Sequence, residues 1–205
     1  MRYKSDHKAL TRDRVIKAAG GLFRRHGYDG VGIDQIMAAA KLTRGGFYGY
    51  FASKSALFAQ VIGTGHGLNA MMKRRPGSSP QDLTDQALDI VDRYLDPNNR
   101  DEIGQGCSMA SLSVDVARAG EVAQSAFSKK LSDLAAELAK GLESGERLDP
   151  RALATIALSV GGAILARASN DDELVHRLSQ ACRAAVAREL RQHKIQMPEP
   201  QTIFD

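Results

Sequence analysis

Cysteine is scarce in this chain, and the residue sets of metal sites and enzymes are missing. Two cysteines, Cys107 and Cys182, are too few in 205 residues for a disulfide framework, so we expect a reducing, intracellular compartment. The five histidines show no metal-like spacing with one another or with cysteine. No nucleophile, base and orienting group occur at a spacing that suggests catalysis. These absences predict no metal, no cofactor and no enzymatic activity.

Long apolar runs and strand-like alternation are also absent. The longest apolar stretch, IALSVGGAILA at residues 156–166, is too short to span a bilayer. The first residues, MRYKSDHKAL, are polar and unlike a signal peptide. We therefore expect a soluble protein of the cytoplasm. Helical periodicity dominates, and it predicts an all-α fold of about nine helices.

Charge is unevenly distributed along the chain. Residues 1–54 contain eleven lysines and arginines against four aspartates, a net charge of +7, whereas the remainder has a net charge of −3. A basic head on a slightly acidic body suggests that the head meets a polyanion such as nucleic acid. A basic face that is merely solvated would have the same composition, so charge alone leaves both interpretations open.

Capping residues and apolar spacing set the expected helix bounds. Ser53, Ser79–Pro80, Asp149–Pro150 and Asp171 are typical helix starts, and we expect Thr11 to cap the first helix. The predicted helices cover residues 12–26 and 33–40, a short helix from Thr43, a longer helix from residue 54, and then 80–95, 107–118, 121–143, 150–168 and 172–193.

The stretch LTRGGFYGYFASK, residues 42–54, follows a short helix after a tight turn. Two short helices joined in this way behind a longer helix form a helix-turn-helix, whose second helix enters the major groove of DNA with its N-terminal residues at the bases. Gly45 and Gly46 weaken a helix by about 1 kcal/mol each. In exchange, a first turn without side chains can approach sugar, phosphate or a thymine methyl closely. A glycine-weakened surface helix without a partner is the alternative.

The side chains around these glycines suit DNA contacts of two kinds. Arg44 is the candidate for base readout, because arginine can pair bidentately with guanine O6 and N7. We expect Tyr48, Tyr50 and Lys54 to contact phosphate, which positions a protein on DNA without reading its sequence. Phe47 is expected to pack inside the head, as is Phe51.

Several spaced motifs run through residues 11–62. They are Ala-x-x-Leu-Phe in the first helix, HGYDG after it, IDQIMAAAKLT in the second helix and turn, and GGFYGYFASK leading into the next helix. Together they resemble the DNA-binding head of the TetR family of one-component repressors. The resemblance implies DNA contacts at Thr43, Arg44, Gly45, Tyr48, Tyr50 and Lys54. Two departures stand out: Tyr50 replaces a common histidine, and Gly32 replaces the usual threonine or serine cap, which removes one phosphate contact.

The same resemblance implies a homodimer in which the last two helices of each subunit form a four-helix bundle. Residues 152–168 have a broad apolar surface with small residues at 161–163, and the last helix has a matching stripe. We therefore predict interface residues on both helices: Ile156, Val160, Ile164, Leu174, Leu178 and Ala185. A helix that is apolar all round is either buried or part of an interface, so an internal core helix is the alternative.

Cys107 stands at a loop-to-helix junction in GQGCSMASLSVDVA. A helix N-terminus can raise the reactivity of a thiol, and some electrophile- and oxidant-sensing TetR-type repressors resemble this segment. Cys107 is thus a candidate redox or electrophile sensor, with a buried structural thiol as the alternative. Cys182 lies among alanines on the last helix and is expected only to pack.

These observations predict a DNA-binding domain at residues 1–54 and an effector-binding and dimerisation domain at residues 55–205. The expected function is repression, with release from a palindromic operator when a small ligand binds the body or a body cysteine is modified. The partners would be double-stranded DNA, a second copy of the chain and an unidentified small-molecule or electrophile effector. A helical protein–protein adaptor without DNA binding is the alternative function.

Overall fold

The computed structural model describes residues 2–64, 67–99 and 106–191, and for residues 2–6 and 99 it describes the backbone alone. Within these ranges the chain is entirely helical, with nine α-helices and no strand, as predicted. The helices are α1 (Arg2–His26), α2 (Ile33–Ala39), α3 (Lys54–Gly63), α4 (Leu68–Lys73), α5 (Pro80–Tyr94), α6 (Ser108–Arg118), α7 (Glu121–Ala139), α8 (Pro150–Ala168) and α9 (Asp172–Arg191). Two short 3-10 helices, Arg44–Gly49 and Pro97–Asn99, complete the described chain; the first is called the 3-10 segment below.

The predicted caps form where the sequence indicates them. The Ser53 hydroxyl accepts a hydrogen bond from the Ala56 N–H at 3.0 Å, and the Ser79 hydroxyl accepts one from Asp82 at 3.1 Å. Asp149 and Asp171 begin α8 and α9 in the same way. These side chains satisfy backbone donors that a helix N-terminus leaves without a partner, so each fixes a helix start.

The first helix is longer than predicted. Thr11 does not cap it but lies buried in its third turn, because α1 already begins at Arg2. No glycine or proline interrupts residues 2–11, so nothing in this segment stops the helix from extending. Residues 7–10 of this added part are exposed, so the helix is longer than its buried face.

Glycines also move three other predicted bounds. The predicted third helix is the 3-10 segment, which contains Gly45 and Gly46. The predicted long fourth helix is interrupted: α3 ends at Gly63, and Gly67 opens α4 with a φ of 75°. The seventh helix ends at Ala139 because the backbone of Gly141 meets α5, where its carbonyl accepts a hydrogen bond from Thr84 Oγ1 at 2.6 Å. The end predicted at residue 193 lies outside the described residues.

Two groups of buried side chains hold the helices together. The first joins α1, α2, the 3-10 segment and α3, and it continues into the body through Leu112 and Val116 of α6. The second fills the space between α4, α5, α7, α8 and α9. The predicted domain boundary after residue 54 stays a prediction. The head packs on the body mainly through α3 against α7, and also through α1 and α3 against α6, so a change in the body can reach the head.

Helix α8 is the one described helix that is long and apolar enough to cross a membrane. The apolar stretch noted in the sequence is shorter than this helix, which has 19 residues. It packs on α9 and also touches α5, α6 and α7. A Cβ at Gly162 would lie 2.9 Å from Cys182 Sγ, so this glycine lets α8 and α9 approach within one chain. We interpret α8 as a core helix.

Candidate nucleic-acid interface

The 3-10 segment lies on a buried aromatic base. Phe47 and Phe51 are both buried, as predicted, with ring centroids 5.7 Å apart. Between them Tyr48 is 68% exposed, with its ring edge-on to Phe47. The alternation of buried and exposed aromatics anchors the segment from below and presents its other face to solvent.

The turn before this segment is held in an unusual backbone conformation. Lys41 has a φ of 56°, in the left-handed region that non-glycine residues seldom adopt. The Leu42 N–H donates to the Met37 carbonyl at 2.9 Å, and the Lys41 N–H donates to the Ala38 carbonyl at 2.9 Å. These bonds end α2 and fix the angle at which the 3-10 segment leaves it.

The two adjacent glycines are not required by the chain itself. Neither Gly45 nor Gly46 has a positive φ. A Cβ at Gly45 would meet nothing within 4 Å, and one at Gly46 would make only an ordinary contact of 3.6 Å with Met37 Cε. Internal packing therefore leaves room for a side chain at both positions. A partner that approaches the backbone from outside would explain their small size.

Arg44 opens the 3-10 segment and is paired with a carboxylate of α2. Its Nη1 lies 2.9 Å from Asp34 Oδ2, and both side chains are well exposed. Thr43, just before it, is exposed and begins the segment without a side-chain cap bond. The cation is thus held at the surface by one N–H group.

Lys54 begins α3 and sits on an aromatic ring. Its Nζ lies 4.2 Å from the centroid of the Tyr28 ring, which packs against Phe58 at 4.7 Å. Burial raises the pKa of Tyr28, and the nearby Asp29 raises it further. On the other side of the head, the Arg12 guanidinium lies 5.2 Å from the Phe51 ring. Aromatic faces orient both cations without neutralising them.

The structure thus brings the predicted DNA-contact residues onto one turn and the helix start that follows it: Thr43, Arg44, Gly45, Gly46, Tyr48, Tyr50 and Lys54. Sequence reasoning missed Tyr28 and Asp34, which contact Lys54 and Arg44, and it missed Arg12, which lies against Phe51. Tyr28 lies within the recognised HGYDG motif and could have been found there. Asp34 lies within the recognised IDQIMAAAKLT motif, but its contact with Arg44, like that of Arg12 with Phe51, depends on how the elements pack.

The head is tied to the body at the end of α3. Lys130 of α7 is 5% exposed, and its Nζ donates to the Ile62 carbonyl at 3.0 Å, the Thr64 carbonyl at 2.7 Å and Ser108 Oγ at 2.8 Å. Burial lowers the pKa of Lys130. The carbonyls at a helix C-terminus attract a cation, so one ammonium group fastens α3 to both α6 and α7.

Two further contacts lie beside this junction. Cys107, the N-cap of α6, is 2% exposed, and a Cβ at Gly67 would lie 2.8 Å from its Sγ. Burial raises the pKa of Tyr94 at the end of α5, and the neighbouring Cys107 raises it further. At the other end of α6, Asp115 Oδ1 accepts a hydrogen bond from the Tyr28 N–H at 2.7 Å. Helix α6 therefore links the Cys107 junction to the turn that supports Lys54.

The predicted interface residues of α8 and α9 fall into three groups. Ile164 and Leu174 are exposed, while Val160, Leu178 and Ala185 are half-buried. Ile156 packs in the chain's own core, so its side chain is not available to a second copy in this conformation. The exposed leucines Leu153 and Leu165 on α8 were not singled out from the sequence. Cys182 packs against Gly162, as expected, and burial raises its pKa.

Acidic and metal-binding side chains do not gather elsewhere in the part of the chain that the structure describes. No group of three or more histidines, cysteines or carboxylates that could hold a metal occurs there. The two candidate functional features are therefore the 3-10 segment of the head and the junction of the head with the body around Lys130.

Comparison with known proteins agrees with this picture of the head. Residues 15–61 match the family model described as bacterial regulatory proteins of the TetR family. The HTH-type transcriptional repressor DhaR of Mycobacterium sp. strain GP1 is 26% identical over 111 residues, which is 54% of each chain. The chain thus aligns with about half the length of that relative.

A second relative aligns over more of the chain. The HTH-type transcriptional repressor NemR of Escherichia coli K12 is 26% identical over 146 residues, 66% of this chain and 68% of NemR. The crystal structure of E. coli NemR in its reduced form superposes with a TM-score of 0.68 at 23% identity, covering 84% of this chain and 94% of that one. The structural likeness shows the fold, and the motifs of residues 15–61 show the family. Residues 15–61 therefore form a helix-turn-helix head of the TetR family of bacterial regulatory proteins.

Proposed function

We propose that this regulator is a cytoplasmic, homodimeric repressor that binds a palindromic operator and releases it in response to an effector. Residues 1–54 would be the DNA-binding domain and residues 55–205 the effector-binding and dimerisation domain. The observation that carries the proposal is the exposed 3-10 segment. The packing of the chain does not require glycine at positions 45 and 46, and Arg44 and Tyr48 beside them are exposed. Family membership, with its operator-binding head, supports the same conclusion.

The proposed DNA contacts divide into reading and positioning contacts. Arg44 reads a guanine through its guanidinium, and Gly45 and Gly46 let the backbone come close to the DNA. Tyr48, Tyr50, Lys54 and the Thr43 hydroxyl bond to phosphates. Lys54 supports this role because the Tyr28 ring orients its ammonium group while leaving its charge intact. Phosphate contacts of this kind set register and salt dependence.

Dimerisation is proposed to use the outer faces of α8 and α9. Ile164, Leu165 and Leu174 expose large apolar side chains on these two adjacent helices, and Val160 and Leu178 continue the surface inward. A second copy packed on this surface would remove them from water. The pair of heads must then stand about one DNA turn apart, roughly 34–36 Å, to occupy two half-sites together.

Release is proposed to follow from a change of this spacing. The ammonium of Lys130 and the carboxylate of Asp115 connect body helices to the ends of α3 and α1. An effector that prefers a body conformation with shifted α6 or α7 would shift both heads. The loss of operator affinity then cannot exceed the difference in the effector's affinity for the two conformations.

Cys107 is the proposed point of covalent control. Its thiol packs against Gly67 between α3 and α4, with no room for even one added carbon at that glycine. An adduct or oxygen on the sulfur would therefore have to displace the α3–α4 connection or the start of α6. The reduced form in which the structural relative NemR was crystallised suggests that redox state is worth testing here as well.

A footprint on the DNA upstream of the chain's own gene tests operator binding. We expect protection of a palindrome with its half-site centres about one helical turn apart. Absence of any protected site there, together with no enrichment of a palindrome from a random duplex library, would overturn the repressor proposal.

The covalent arm of the proposal is tested with N-ethylmaleimide on the protein–DNA complex. We expect wild type and Cys182→Ser to release DNA, and Cys107→Ser to stay bound after the same treatment. Cys182 is the matched control because it is the other buried cysteine. Equal release from Cys107→Ser would contradict a sensor role for Cys107 and leave a non-covalent effector.

A further inference from the structure

Arg44 and Asp34 form an exposed ion pair on the surface of the head. The pair offers hydrogen-bond donors from the guanidinium and acceptors from the carboxylate side by side. Arg44 is the first residue of the 3-10 segment, and Asp34 lies in the first turn of α2. The two are joined at 2.9 Å between Nη1 and Oδ2, with side chains 74% and 62% exposed. One N–H group makes this contact, so the rest of the guanidinium can take part in other bonds.

The packing beneath the pair fixes its position. Met37 lies about one turn after Asp34 on α2 and is buried beside it. Its Cε lies against Gly46 of the 3-10 segment, and the backbone bonds of Lys41 and Leu42 hold the turn between the two elements. The carboxylate and the guanidinium are thus presented by two elements whose relative position is set by buried contacts.

The chemistry of the pair matches one base pair. In the major groove, guanine presents the acceptors O6 and N7, while its partner cytosine presents the N4 amino donor. Arginine supplies donors for the guanine, and an aspartate can accept from the cytosine amine. A phosphate offers acceptors only, which attract Arg44 and repel Asp34. The pair therefore favours a G·C edge over the backbone.

We propose that Asp34 is a specificity-determining residue, which together with Arg44 reads one G·C base pair in each half-site and disfavours non-specific contact with phosphate. This inference rests on the proposed DNA-binding function and extends it to a residue outside the 3-10 segment. In free protein the exposed ion pair contributes little to stability. Its role is to hold Arg44 toward the bases and to place a negative charge where a phosphate would otherwise bind.

In-vitro selection from a random-sequence duplex library tests this directly. Wild type, Asp34→Asn, Arg44→Ala and the double variant are each taken through selection. The duplex that wild type enriches most is called the winner, and the affinity of each protein for it is compared with the affinity for a scrambled duplex. Asp13→Asn is the matched control, because it removes the same charge from an exposed position of the head on α1. Because both residues of the pair are exposed, thermal melts should show all variants folded.

The expected result is a G·C preference in each half-site that Arg44→Ala loses. Asp34→Asn should weaken this preference, bind the scrambled duplex more tightly, and reduce the winner-to-scrambled affinity ratio by about tenfold, the order of a lost base contact. In the Arg44→Ala background, Asp34→Asn should no longer change base preference. Asp13→Asn should raise affinity for both duplexes alike.

Two results would overturn the inference. If Asp34→Asn changes affinity for winner and scrambled duplexes equally, as Asp13→Asn does, then Asp34 acts only through net charge. If Asp34→Asn still alters base preference when Arg44 is absent, then the two residues do not act as a pair. If wild type itself enriches no sequence, the proposed function fails together with this inference, and that outcome is distinct from the other two.

Discussion

At the scale of single residues, the head is notable for side chains that its own packing does not require. Gly45 and Gly46 have space around them, Tyr48 points into solvent, and Arg44 is held by one exposed carboxylate. By contrast Phe47 is fully buried. Residues that neither fill the core nor relieve backbone strain are available to contact a partner, which we propose is DNA.

Replacing Gly45 by alanine separates folding from DNA binding. The site is open and its φ is not positive, so we expect unchanged or slightly greater stability, by about 0.4–1 kcal/mol, because alanine restricts the unfolded chain. Affinity for the operator should fall on the order of tenfold, about 1.4 kcal/mol, since the methyl group would stand between backbone and DNA. Chemical denaturation and fluorescence anisotropy measure the two quantities.

The matched control is Gly63→Ala at the end of α3. Its Cβ would also meet nothing within 4 Å. We expect this variant to bind DNA as wild type does. A Gly45→Ala protein that binds with full affinity would show that close backbone approach is not the reason for glycine at this position.

At the scale of elements, the sequence predicted what depends on near neighbours and missed what depends on packing. Ser53, Ser79 and Asp149 were recognised because a capping residue and the donors it satisfies are two or three residues apart. The hydrogen bond between Asp115 and Tyr28 joins residues 87 positions apart, so no local sequence pattern predicts it. The predicted fourth helix contains Gly63 and Gly67, where the structure interrupts it. Glycines weaken a helix, but whether they end it depends on the tertiary contacts around them.

The start of α8 gives an element-scale prediction about acid stability. Burial by itself raises the pKa of Asp149, but hydrogen bonds from Arg151 and Ser144 outweigh burial and bring the pKa down to about 2. A carboxyl group whose pKa is lower in the folded than in the unfolded chain stabilises the fold above its unfolded pKa of about 3.9. This contribution, on the order of 2 kcal/mol, should disappear as the pH falls from about 4 to 2.

Thermal melts of wild type and Asp149→Asn from pH 6 to pH 2 check this prediction. The difference in melting temperature between the two proteins should be large at pH 6 and shrink below pH 4. Asp89→Asn, which removes an exposed carboxylate of α5, should follow wild type throughout. A constant difference between wild type and Asp149→Asn across this range would contradict the role assigned to the Asp149 carboxylate.

At the scale of the whole molecule, the proposed function requires that the bodies of two subunits hold their two heads at a fixed distance. Lys130 and Asp115 connect the head to α7 and α6, while α8 and α9 expose apolar side chains. The sequence pattern could not separate interface from core on these helices, because both are apolar. The structure divides them by exposure: Ile156 faces inward, whereas Leu153 and Leu165 face outward.

A charge placed in the proposed dimer surface should separate the subunits. We expect Ile164→Glu to sediment as a monomer and to lose operator binding, because a single head has only one half-site to hold. Val122→Glu is the control, since Val122 is an exposed apolar residue on α7 outside the proposed surface. Sedimentation velocity and anisotropy measure both effects. An Ile164→Glu protein that remains a dimer would exclude this part of α8 from the interface.

The central claim is that the 3-10 segment and the start of α3 bind operator DNA. Fluorescence anisotropy on the duplex upstream of the chain's own gene, at two salt concentrations, tests it with wild type, Tyr48→Ala and Lys54→Ala. Wild type should bind this duplex more tightly than a scrambled one and weaken steeply with salt, while both variants lose affinity and Lys54→Ala lowers the salt slope by about 1. If both variants bind with wild-type affinity and salt dependence, the DNA contacts lie elsewhere and the account of the head is wrong.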